Sequence, residues 1–145
     1  MSAERLESLF PNLNRAGYTI TSAADVDYNC IAWAVGDTQK WWEPLPGFYW
    51  PPGVHKEYSL TAYLRVFAVH GYATCDRAGI EPGFQKIAIY VDAEGIPSHA
   101  ARQTAAGKWT SKIGELEDIE HDTLSALEGE AYGTVAQVMK RKSVQ

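Results

Sequence analysis

The sequence contains no apolar run near the ~18 residues that a membrane span requires, so no membrane anchor is expected. It has two cysteines, Cys30 and Cys75. That is too few for a disulfide framework, and a reducing cytoplasm is the expected compartment. The opening segment, Met1 to Ser8, carries acids and lacks the apolar stretch of a secretory signal. Cations are in the minority: 13 Lys and Arg stand against 18 Asp and Glu, a net charge of −5. A nucleic-acid binder needs clustered cations to neutralise phosphates, so no such partner is expected. The one basic cluster, Lys140 to Lys142, reads as a solvated C-terminus.

Signature motifs are also missing. There is no His-Glu-x-x-His, no Cys-x-x-Cys, no deaminase pattern and no Gly-x-Ser-x-Gly. The spacings of Cys30, Cys75, His99 and His121 match no zinc module, so no metal is expected. No glycine-rich loop suits a phosphate or a dinucleotide, so no cofactor is expected either.

What remains is a 145-residue chain, 46% hydrophobic and 21% charged. Its length predicts one domain, 1–145, able to bury a core without staples. Aromatics are plentiful, with five Trp and eight Tyr, and several crowd into residues 41–50.

Periodicity predicts helices first and strands later. Ala3 to Phe10 reads as a short helix ended by Pro11, and Tyr18 to Thr21 as a strand. A buried helix follows, capped by Asp27 and stopped by Gly36. Residues 37–54 hold too many Pro and Gly for regular structure, and an aromatic loop this long is either a binding groove or a lid on the core. Glu57 to His70 is an amphipathic helix, and Tyr72 to Cys75 begins the sheet. The period then falls to two, with strands at Gln85–Val91, Ser98–Thr104 and Lys108–Ile113. A helical turn at Asp122–Leu127 and a strand at Tyr132–Met139 complete an α+β pattern, N-terminal helices packed on an antiparallel β-sheet.

Cys30 is the leading candidate for chemistry. With Asp27 as cap it occupies the third helical position, where free N–H groups favour a thiolate nucleophile. Asn29 precedes it, beside main-chain amides that suit an oxyanion. His99, opening a strand after Pro97, is the candidate base. A third group would orient the imidazole, and hairpin register decides which. A three-residue loop, Ala105 to Gly107, puts Trp109 and Ser111 on the His99 face; a two-residue loop puts Thr110 and Lys112 there. Asp118 and His121 lie just beyond and are further candidates. Trp41, Trp42, Tyr49 and Trp50 are the candidate walls of a groove for an extended peptide or another ligand.

The run Asp27-Tyr28-Asn29-Cys30-Ile31-Ala32-Trp33-Ala34, together with Pro97-Ser98-His99-Ala100-Ala101-Arg102, resembles the papain-like cysteine peptidases, in particular their compact bacterial NlpC-type branch. The chain is also similar to a family of bacterial domains without an assigned activity. Its matching motifs stand at 29–34, 41–42, 49–51, 99–103 and 109–114. The resemblance implies a papain-like core with Cys30 as nucleophile, His99 as base and a polar third residue near Ser111. The Asp-Cys-Ser-Gly usual in cell-wall peptidases is Asn-Cys-Ile-Ala here, which points away from cell-wall peptide. The expected activity is a cysteine hydrolase or acyl-transfer enzyme acting on a peptide or other amide, such as an intracellular amidase. The alternative is a non-catalytic binding module of the same fold that uses its aromatic loop.

Overall fold

A computed structural model describes residues 2–22, 27–113 and 117–143. Two short helices, α1 (Ser2–Leu9) and α2 (Leu13–Ala16), lead into strand β1 (Tyr18–Ser22). Helix α3 (Cys30–Val35) follows, then the Pro-rich aromatic stretch, then α4 (Leu60–Val69). The remaining strands are β2 (Ala73–Cys75), β3 (Phe84–Val91), β4 (Pro97–Gln103), β5 (Trp109–Lys112), β6 (Asp118–His121) and β7 (Thr134–Lys142). A 3-10 turn, Leu124–Leu127, sits between the last two. The seven strands among the described residues form one antiparallel sheet in the order β1-β6-β5-β4-β3-β7-β2. The α+β pattern expected from periodicity is therefore present.

Side chains alternate across a strand, and here both faces are covered. Ile87, Ile89, Ala100 and Met139 pack under α3, α4 and the aromatic stretch. Ala88, Tyr90, Ala101, Trp109 and Ile119 pack under Leu6, Phe10, Leu13 and Leu127. Burial on both sides explains why β3 reads as a nearly continuous apolar run. Each fully buried Ile contributes roughly 1.5–3 kcal/mol.

Several elements differ from expectation. The helix predicted at 57–70 starts at Leu60, because Ser59 caps it by accepting from Ala62 N. Asp118 to His121, to which periodicity assigns no element, is a strand paired with both β1 and β5; neighbouring strands override its weak local propensity. The basic cluster is not a solvated tail. Lys140, Arg141 and Lys142 end β7, paired with β3, with Lys140 Nζ 2.8 Å from Glu81. Among the described residues, no helix is long and apolar enough to cross a membrane.

Candidate functional site

Helix α3 begins later than its sequence suggests. Asn29, not Asp27, is the N-cap: its Oδ1 accepts from Ala32 N and Trp42 N, and its Nδ2 donates to Trp42 O at 2.7 Å. Cys30 is thus the first helical residue rather than the third. Asn29 outcompetes Asp27 because its amide both caps the helix and pairs with the aromatic stretch.

The thiol of Cys30 lies at a small cleft of about 120 Å³, whose walls include Asn29, Trp42, Glu43, Tyr58, Tyr63 and Ser98. Burial is the dominant influence and pushes the thiol up to about 11. Against this, the amides of Ala100, Ile31 and Cys30 itself favour the thiolate, while Glu43 disfavours it further. The Tyr58 hydroxyl donates a very short hydrogen bond to Glu43. Burial, then that bond, raise the Tyr58 phenol to about 12.

His99 lies elsewhere. On β4, Ala100 packs under α3 and the Arg102 guanidinium stacks on Trp33 of that helix. Alternation therefore sends His99, like Ala101, through to the opposite face. Its ring is only 1% exposed and lies flat on Tyr132, centroids 4.2 Å apart, with Tyr90 at 5.3 Å. Neither ring nitrogen has a hydrogen-bond partner among the described residues, the Cys30 thiol included. Burial, then nearby His121, hold its pKa well below the ordinary histidine range. The expected hydrogen-bonded meeting of Cys30 and His99 is absent, because adjacent positions of one strand cannot serve one face.

The third-residue candidates divide in the same way. Thr104 and Lys108 close the three-residue loop Ala105–Gly107, so Ser111 does share the His99 face. It bonds His121 instead, with Ser111 Oγ 2.8 Å from Nε2. The Thr123 carbonyl can only accept, so His121 Nδ1 carries the proton and Ser111 donates to Nε2. Burial holds His121 down to about 4. Asp118 lies on the α3 face, accepting from the Tyr28 hydroxyl at 2.7 Å, beside Lys112. It cannot orient His99 from there.

The aromatic stretch is mostly core. Trp42 and Trp50 are buried, their indole N–H groups donating to Asp37 and to the His55 carbonyl. Trp41 and Tyr49 are half-buried and line no part of the Cys30 cleft. Of the expected wall residues, only Asn29 and Trp42 reach it. Glu43, Tyr58, Tyr63 and Ser98 also line the cleft, and none of them is among the expected site residues. Alternation along β4 was the available signal for Ser98: once Ala100 is given to the helix, so is Ser98. No group of three His, Cys, Asp or Glu side chains among the described residues could hold a metal ion.

A family profile described as "Domain of unknown function (DUF7689)" matches residues 19–140. The chain belongs to this family. The match takes in the DUF7689 chain's Cys30 cleft, His99 and the Ser111–His121 pair, and it assigns none of them an activity. No curated protein and no solved structure matches the chain.

Proposed function

We propose that this domain binds a small peptide-borne or amide-containing group in the Cys30 cleft and does not turn it over. The observation that carries the reading is that Cys30 packs in the α3 layer while His99 stacks on Tyr90 and Tyr132 in the other, with no hydrogen bond between thiol and imidazole. A buried thiol held near pH 11, without a base in hydrogen-bond reach among the described residues, is a poor nucleophile at neutral pH. The cleft is smaller than the ~300 Å³ at which small-molecule pockets usually begin. Its size suits one short side chain or an amide, gripped by aromatic walls with Asn29, Glu43 and Ser98 as polar contacts. A cytoplasmic setting goes with this reading, supported by two free thiols.

A cysteine hydrolase on a papain-like core is the second reading. The amides of Ala100, Ile31 and Cys30 around the sulfur favour it, since such donors suit a thiolate or an oxyanion. It requires the His99 ring to leave Tyr132 and reach the cleft.

One measurement separates the two. With Cys75→Ser removing the other thiol, the rate of Cys30 alkylation by iodoacetamide is followed from pH 6 to pH 11. Binding without turnover expects a rate that stays low until well above the ordinary thiol value of about 8.5. A thiolate titrating below that value, with peptide-amide cleavage lost in Cys30→Ala, would replace the binding reading by the hydrolase.

A further inference from the structure

Two arginines on one face of the sheet, Arg102 on β4 and Arg141 two strands away on β7, reach the far ends of α3 and α4. Arg102 leaves β4 and stacks over Trp33, its carbon 4.4 Å from the ring centroid, with Nη1 near Gly36. Arg141 leaves β7, stacks over Tyr72 at 4.6 Å and donates from Nη1 to the His70 carbonyl at 2.8 Å. Stacking fixes the planes of these groups but leaves N–H edges unengaged. The Arg102 guanidinium donates to no acceptor among the described residues, and neither arginine has an Asp or Glu within salt-bridge distance among them. The carboxylate that acts on His70, Asp37, is occupied by Trp42 Nε1 at 2.8 Å and Gln39 N at 2.7 Å.

Under Arg141 lies an orphan. Tyr72 is 3% exposed, and its hydroxyl has no hydrogen-bond partner among the described residues. His70 Nε2 is likewise buried without one. A buried hydroxyl left unpaired costs about 1–3 kcal/mol, and proteins rarely leave one so. The electrostatics agree. Burial, then Arg141, hold Arg102 below its ordinary value, while the phenol of Tyr72 favours its charge. Burial raises Tyr72, and both arginines oppose the rise. Two cations that repel each other around a donor without an acceptor describe a place built for negative charge, in a chain whose net charge is −5.

We propose that Arg102, Arg141 and Tyr72, with His70 at the margin, bind a small divalent oxyanion of the phosphate class. The donors come from β4, β7 and the segment after α4, so they approach from several directions. A tetrahedral group with acceptors on every side meets them better than a planar carboxylate. The site does not depend on how the Cys30 cleft is read. It also gives a role to Arg141, one member of the basic cluster that ends β7.

The test titrates the full chain with sodium phosphate, sodium sulfate and sodium succinate, against sodium chloride at matched ionic strength. Tryptophan fluorescence is one readout, because Trp33 lies under Arg102, and thermal stability is the other. Saturable binding of phosphate and sulfate is expected, tighter than succinate, with chloride producing neither change. Arg102→Gln and Arg141→Gln should each weaken phosphate at least tenfold, and Tyr72→Phe about threefold, with Arg65→Gln on α4 as the unaffected control. Should Arg102→Gln fail to fold, Arg102→Lys keeps the charge without the fork and should still weaken binding several-fold. A linear response shared with chloride overturns the proposal, as does phosphate affinity unchanged in the foldable arginine variants. Succinate binding more tightly than phosphate overturns the tetrahedral class.

Discussion

Cys30 meets β4 on one face of the sheet, and His99, a residue of β4, projects from the other. The sulfur lies against the amide of Ala100, and the imidazole of the preceding residue lies flat on Tyr132 beneath the other layer. One residue of register thus separates a thiol from the base expected to serve it. The Ser98 hydroxyl, on the thiol's side, donates a very short hydrogen bond to the Tyr132 carbonyl and ties the two layers together at this end of the sheet.

His99 should make the fold acid-sensitive. Its pKa and that of His121 are lowered in the folded state, so the unfolded chain binds more protons in acid. Stability is then fully present above the ordinary histidine value of about 6.5 and is lost as pH falls through it toward the lower folded values. His99→Phe removes its share and two unpartnered polar atoms. It should melt at or above the wild-type temperature at pH 7, by about 1 kcal/mol of added stability, and lose less between pH 7 and pH 5. Urea unfolding at both values checks this, and a variant as acid-sensitive as the parent would contradict the assignment.

Asn29 should matter more for folding than its size suggests. It caps α3 and pins the Trp42 main chain through both its N–H and its carbonyl. Asn29→Ala should cost about 3 kcal/mol, a lost cap plus buried main-chain groups left unpaired. Asn29→Asp keeps the acceptor but has no donor for the Trp42 carbonyl, so it should recover only part of the loss. Equilibrium denaturation of the two variants reads the difference.

Among the described glycines, Gly133 is the least replaceable. It has φ 78° and pairs reciprocally with Gly129, while an added Cβ would stand 1.9 Å from the Val91 carbonyl oxygen. The segment bearing Tyr132 would have to move. Gly133→Ala should therefore destabilise by about 3 kcal/mol or more and shift the near-ultraviolet dichroism of the stacked tyrosine. Gly47→Ala, at similar φ but with nothing within 4 Å of its added Cβ, should cost clearly less.

Much of this protein is legible in order along the chain. The two-residue period of 85–91 marks the central strand, and Gly36 and Gly107 mark a helix stop and a tight turn through local chemistry alone. The three-residue hairpin loop and its register were among the alternatives that residue types defined. Those features depend on neighbours a few positions away, so sequence determines them. What partners what across the sheet was decided only by the tertiary structure. Ser111 went to His121, Asp118 went to Tyr28, and two arginines on strands separated by β3 met around Tyr72, because strand order brings together residues far apart in the chain. The same cause parted Cys30 from His99: alternation was readable, but which face the cysteine helix would cover was fixed only once both layers had packed.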